Sequence, residues 1–183
     1  LDYILSGLKK AGKLPKEPVA VKSIVSTPLA DHIAAAYGCT MRTVLTGFKY
    51  IGGVILELEQ AGRPGDYVLG FEESCGYLKG DYARDKDAVV TAMLICEMAA
   101  SYKLAGKTLA QVMDGLYETY GHFATGLQNV LFTSEEQKAK CMELMEQLRR
   151  QPPKKIAEFA VTSVSDFREG ETTDCATGEK TPT

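Results

Sequence analysis

The chain has 183 residues, 45% of them hydrophobic, which suffices for one well-packed domain and part of a second. A formal net charge of −3 supplies no broad positive field, so neither nucleic acid nor an anionic membrane surface is an expected partner. The longest apolar run, Ala88 to Ala100, contains Glu97 and falls well short of the roughly 20 residues that span a bilayer, so it reads as a buried, central helix.

Residues 1–18 read as a linker or helix remnant. From Val19 to Ser26 β-branched residues alternate with others as in a strand, after the punctuation of Pro15 and Pro18. Thr27 and Pro28 then suit the start of a helix carrying Leu29, Ile33 and Tyr37, which Gly38 closes. Met41 to Leu45 suggests a second strand, and Phe48 to Gln60 a helix on the spacing of Ile51, Val54, Ile55 and Leu58. Gly62, Pro64 and Gly65 stop it, and Tyr67 to Phe71 forms a third strand. This alternation is that of an α/β sheet with helices packed against it, whose ligands gather at loops beyond the carboxyl ends of the strands. Those loops are Ser26-Thr27, Thr46-Gly47-Phe48-Lys49 and Glu72-Glu73-Ser74-Cys75-Gly76.

A polar connection from Tyr77 to Lys86 leads to the apolar helix, expected over Asp87 to Leu104 with Cys96 as core filler. Thr108 and Gln111 form a capping box for a further helix that ends at Gly121. Beyond this boundary Val130 to Phe132 reads as a short strand, Ser134 caps a helix that stops at Pro152-Pro153, and Phe159 and Val161 suggest another strand. The polar stretch after Asp166, rich in Thr, Glu and Gly, reads as disordered. The five cysteines are scattered without C-x-x-C spacing, which fits reduced thiols in a cytoplasmic protein. Cys75 has no His beside it in sequence to activate it.

Glu72-Glu73 follows a strand and precedes Ser74, so the loop can offer a carboxylate and a hydroxyl together, a set suited to neighbouring sugar hydroxyls. On spacing alone, a solvated acidic surface remains equally open. Arg84-Asp85-Lys86-Asp87 is open in the same way: Asp87 can cap the following helix, while Lys86 is placed to reach a phosphate or exchange a proton if its loop faces a cleft. Asp81, Asp85 and Asp87 make no recognisable calcium or magnesium loop, and His32 and His122 have no partners at metal or triad spacing.

Three motifs in order change the weighting. Thr46-Gly47-Phe48-Lys49-Tyr50-Ile51-Gly52, then Gly70-Phe71-Glu72-Glu73-Ser74-Cys75-Gly76-Tyr77, then Arg84-Asp85-Lys86-Asp87-Ala88 resemble the third domain of the α-D-phosphohexomutase superfamily, the phosphoglucomutases and phosphomannomutases. The resemblance covers residues 15–121 well, and residues 130–167 resemble the start of that family's fourth domain. The expected fold is therefore α/β: a three-layer α/β/α domain with a mixed sheet over residues 19–122, a partial α+β segment over 123–167, and a disordered tail over 168–183.

The resemblance implies reversible phosphate transfer between positions 1 and 6 of a hexose through a bisphosphorylated sugar. It implies that Glu72 and Ser74 bind the O3 and O4 hydroxyls, that Thr46 and Gly47 form a second sugar-contacting loop, and that Lys86 assists proton transfer or contacts phosphate. Glu73, Arg84 and Lys49 are further substrate-binding candidates. Cys75 stands where relatives often carry a larger residue. The family's Ser-His-Asn-Pro-like phosphoserine loop, its Asp-Gly-Asp-x-Asp-Arg magnesium loop and its Arg-Pro-Ser-Gly-Thr phosphate loop do not occur here. Magnesium is thus expected in a longer parent protein and not in this chain, which by itself is expected to be inactive and to need the parent's other domains. The alternatives are a stand-alone sugar-phosphate-binding module, an α/β interaction domain, or a preference for pentose phosphates.

Overall fold

In the computed structural model, which describes residues 1–126 and 128–182, the central strand is the β-branched segment β1 (Val19–Ser23), buried along its whole length. It pairs in parallel with β2 (Thr40–Val44) on one side and β3 (Tyr67–Glu72) on the other. A short strand β4 (Gly76–Leu78) returns antiparallel to β3, so the sheet is mixed, in the order β2-β1-β3-β4. Val19, Ala20 and Val21 are consecutive apolar residues, the habit of parallel strands covered on both faces, and the polar Lys22 and Ser23 are buried at the carboxyl end.

Helices supply that cover. On one face α3 (Phe48–Gln60) lays Phe48, Ile51, Val54, Ile55 and Leu58 against Val19, Val21, Tyr67 and Leu78. On the other, α1 (Asp2–Lys10) and α2 (Leu29–Ala36) bring Leu5, Leu29, Ile33 and Ala34 against Ala20, Val68 and Leu69. Alternate residues of β1 therefore feed alternate cores, as the two-residue period of a strand requires. The helix α4 (Ala88–Leu104) and α5 (Leu109–Tyr120) follow, with an 87° bend between them, and α5 adds Met113, Leu116 and Tyr117 to the edge of the second core. Helices on both faces of a mixed sheet make the three-layer α/β/α arrangement expected from the sequence. Among the described residues, no single helix is long and apolar enough to cross a bilayer.

The structure differs from the sequence reading at several places. Residues 1–18, read as a linker or helix remnant, include α1, whose Leu5 is fully buried in the second core; the compact unit accordingly runs from Leu1 to Leu127. The connection after Tyr77 begins instead as β4, which three residues are too few to announce by alternation. The helix α4, expected to be central, contains no buried residue: Met93 is 66% exposed, Leu104 90%, and Cys96 is exposed rather than core filler. Its sheet-side neighbour is only the three-residue edge strand β4, which can shelter one stripe of a 17-residue helix, and Val90, Leu94 and Met98 are that half-buried stripe. Finally, the tail is not disordered.

The second compact unit is Gln128–Thr183. Val130 to Phe132, read as a strand, has no strand pairing, and α6 (Glu135–Arg150) begins at the expected cap, where Ser134 Oγ accepts from the Gln137 N–H at 3.2 Å. A minimal hairpin of β5 (Lys155–Ile156) and β6 (Phe159–Ala160) precedes an antiparallel sheet of β7 (Ser163–Asp166), β8 (Glu171–Asp174) and β9 (Lys180–Pro182). Turn chemistry closes the tail that composition marked as disordered. Asp166 accepts from the Arg168 N–H, Asp174 accepts from the N–H groups of Ala176 and Thr177, and Lys180 pairs with Glu171 at 2.7 Å. Arg149 on α6 ion-pairs with Asp166 and so ties helix to sheet within this unit.

Candidate substrate cleft

Three of the strand ends in the first unit open into loops that converge. At the end of β1, Lys22 is only 5% exposed, and its ammonium donates to the carbonyls of Ser26 (3.2 Å) and Thr27 (3.4 Å) and pairs with Asp31 (2.7 Å). A charge this deep is tolerated because every donor direction finds oxygen. Next to it Ser23, fully buried, shares a hydrogen bond with the Ser26 hydroxyl (2.8 Å) and donates to Glu73 Oε2 (2.9 Å).

At the end of β2 the chain turns through Gly47 at φ 125° and ψ 123°, a backbone that residues with a Cβ rarely adopt. The turn starts α3 and aims the Gly47 N–H at Glu72 Oε1, at 2.6 Å. Glu72 itself is only 4% exposed, and its Oε2 lies beside Gly76, where an added Cβ would stand 3.1 Å from that oxygen. Gly76 thus leaves the space the carboxylate fills. Between them the turn of the β3–β4 hairpin carries Ser74, exposed, and Cys75 at φ 60°, also exposed.

A cleft of about 790 Å³ opens over these loops, lined among others by Lys22, Ser26, Thr27, Phe71, Glu72 and Glu73. Phe71 and Tyr77 face each other across the hairpin, rings 6.4 Å apart and nearly parallel, and form an apolar wall. An acidic group, a buried cation and hydroxyls around an apolar wall can hold a polyhydroxylated, anionic ligand. Among the described residues, no buried side-chain nitrogen or oxygen lacks a hydrogen-bond partner.

The sequence candidates divide between this cleft and its surroundings. Glu72 and Glu73 line it; Thr46, Gly47 and Ser74 belong to the loops that carry or flank Glu72, but are not part of the lining. Lys86, exposed, pairs with Asp85 at 3.3 Å and lies 5.4 Å from the centre of the Phe48 ring, the residue after Gly47. Arg84 is drawn instead to the far end of α3 by Glu59 (2.5 Å), and the Lys49 ammonium rests over its neighbour Tyr50 at 4.8 Å. Lys22 and Ser23 escaped the sequence reading. The available signal was a lysine set within an otherwise apolar, β-branched strand, a residue type seldom buried without a task.

Among the described residues, no three His, Cys, Asp or Glu side chains are grouped to hold a metal ion. Burial pushes the Cys39 thiol up to about 11, against nucleophilic use, and Cys39 lies in the second core rather than the cleft.

Comparison with known proteins identifies the family of the domain. The family model for phosphoglucomutase/phosphomannomutase, alpha/beta/alpha domain III, matches residues 3–120. A phosphoglucomutase of Staphylococcus epidermidis is 31% identical over 172 residues, covering 94% of this chain and 31% of that protein. A Staphylococcus haemolyticus phosphoglucomutase is 33% identical over 154 residues, 84% of this chain and 28% of the relative. A crystal structure from Thermus thermophilus, described as a phosphomannomutase, superimposes with a TM-score of 0.50 at 25% identity, covering 66% of this chain and 25% of its own. The chain therefore spans about a third of the length of the curated relatives it matches.

Proposed function

This chain belongs to the phosphoglucomutase/phosphomannomutase family, whose α/β/α domain III it carries, and on that footing we propose that it recognises the hexose in a parent enzyme that interconverts hexose 1-phosphate and hexose 6-phosphate. One observation supports this above the others: Glu72 is held, nearly buried, at the mouth of β3 by the Gly47 N–H, in a cleft that also contains Lys22. A carboxylate fixed before the ligand arrives accepts hydrogen bonds from sugar hydroxyls without ordering itself first. Ser74, two residues on, supplies a hydroxyl that both donates and accepts.

In this reading Glu72 and Ser74 grip two neighbouring ring hydroxyls, and Thr46 and Gly47 border the sugar. Lys22 offers positive charge to phosphate, moderated by Asp31. Lys86 is the candidate for proton transfer or a second phosphate contact; Arg84 and Lys49 reach the ligand only if they leave Glu59 and Tyr50. Turnover through a bisphosphorylated sugar belongs to the parent, which would be cytoplasmic and would supply the phosphoserine and the magnesium. This chain contributes specificity, and by itself would transfer no phosphate.

The test is Glu72→Ala in the full-length protein, assayed with glucose 1-phosphate and mannose 1-phosphate. Loss of the sugar contacts together with the partner of the Gly47 N–H should lower kcat/KM by about a hundredfold or more. Unchanged kinetics on both sugars would remove the assignment.

A further inference from the structure

Glu72 ends β3 and Glu73 opens the turn that follows, and their carboxylates reach two different loops. Glu72 reaches the loop after β2, through the Gly47 N–H; Glu73 reaches the loop after β1, through the Ser23 hydroxyl. Two neighbouring carboxylates thus tie both parallel-strand loops to the β3–β4 turn. We propose that Glu73 is a positioning residue, which holds the loop between β1 and α2 in place through Ser23 and Ser26 and does not itself contact the sugar.

The bonding order supports the role. An ionised carboxylate can only accept, so Ser23 must spend its single proton on Glu73. The hydrogen bond between the two serines, at 2.8 Å, then requires Ser26 to donate to Ser23. The Ser26 N–H also donates to the Ser23 carbonyl at 3.0 Å, and the Ser26 carbonyl accepts from Lys22. The chain Glu73–Ser23–Ser26–Lys22 therefore runs without a break from the hairpin turn to the buried ammonium. Ser23 and Ser26 are both buried, so this link is shielded from the water that would compete for it. Glu73, although on an exposed turn, has a carboxylate oxygen committed inward.

The kinetic part of the test rests on the cleft being the hexose-phosphate site, so it has a second arm. In the full-length protein, Glu73→Ala and Ser23→Ala should each raise KM for glucose 1-phosphate about tenfold, the scale of one charge-assisted hydrogen bond. The double variant should cost about the same tenfold, because both changes break one link. Glu73→Gln, which keeps an acceptor oxygen, should recover most of the loss. A silent Ser23→Ala beside a damaging Glu73→Ala, or a double variant that multiplies the two losses, would mean that Glu73 meets the ligand directly and overturn the proposal. The second arm needs no substrate: amide hydrogen exchange at residues 24–27 should accelerate in Glu73→Ala relative to the unaltered protein. If Glu72→Ala leaves turnover intact, the hexose-phosphate reading falls and the exchange arm alone decides; unchanged exchange at residues 24–27 overturns the positioning role.

Discussion

The helices α3 and α4 are both rich in apolar residues, and each begins at the candidate cleft's surroundings. They part company in what they rest on. α3 buries six residues, and the Gly47 that caps its start donates its N–H to Glu72. α4 buries none, and its first turn delivers Lys86 and Asp87 from an exposed loop. Apolar content, then, does not decide burial; the surface offered by a neighbour does. The functional consequence is that Glu72 and its loop are placed by the core, whereas Lys86 is placed by an exposed loop that only its polar bonds and the edge of the Phe48 ring hold.

The sharpest way to break this contrast is to truncate a side chain in each helix. Ile55→Ala removes a fully buried side chain from the α3 core, and should destabilise the protein by about 2–5 kcal/mol. Met93→Ala, on the exposed face of α4, should change stability by no more than about 0.5 kcal/mol. Paired urea denaturation curves measure both. Equal losses would show that α4 is held by apolar packing after all.

A smaller effect tests whether the core places the site. Gly47→Ala meets no close neighbour, since the nearest atoms to an added Cβ are 3.7 Å away on Tyr50, but the backbone stands at φ 125°. The cost is therefore conformational, about 1–3 kcal/mol, relieved only by rotating the N–H away from Glu72. In the full-length protein the same variant should reduce kcat/KM more than Lys49→Ala does. A Gly47→Ala protein with ordinary stability would mean that the Gly47–Glu72 bond is easily re-formed from another backbone.

These contrasts also explain what could be read from the sequence. α3 was legible because Ile51, Val54, Ile55 and Leu58 keep a helical period, and Glu72 because an acid after an apolar strand points to a loop at the sheet's carboxyl edge. The bond between Gly47 and Glu72 spans 25 residues, and no local pattern encodes such a contact. Lys22 was hidden for the same reason, since its partners, the carbonyls of Ser26 and Thr27 and the Asp31 carboxylate, are assembled by the turn into α2. The exposure of α4 depends on how little of it β4 can cover, which composition does not carry. In the tail, polar composition pointed to disorder, yet Thr172 and Thr173 suit a strand and the Asp-led turns satisfy the backbone between strands. That sheet stands on ladders and turns rather than on a core.

The smallest expected effect concerns the start of α4, where local bonds replace burial. Asp87 accepts from the N–H groups of Val89 (2.7 Å) and Val90 (3.1 Å) and from the Tyr82 hydroxyl (2.5 Å). The Tyr82 bond first, then the Val90 and Val89 N–H groups, hold its carboxyl below the ordinary 3.8. A carboxyl whose folded value lies below its unfolded one stabilises the fold above the unfolded value, and that contribution is lost as pH falls through the folded one. The cap should therefore be intact at pH 5 and weaken on acidification below about pH 4. Amide exchange at Val89 and Val90, corrected for the intrinsic pH dependence, should accelerate over that range, while amides in the middle of α3 hold their protection. Asp87→Ala should show the faster exchange already at pH 5 and no further acid dependence. If protection at Val89 and Val90 were flat from pH 5 to pH 3 in the unaltered chain, the start of α4 would be held by something other than its cap, and Lys86 would be as firmly placed as Glu72.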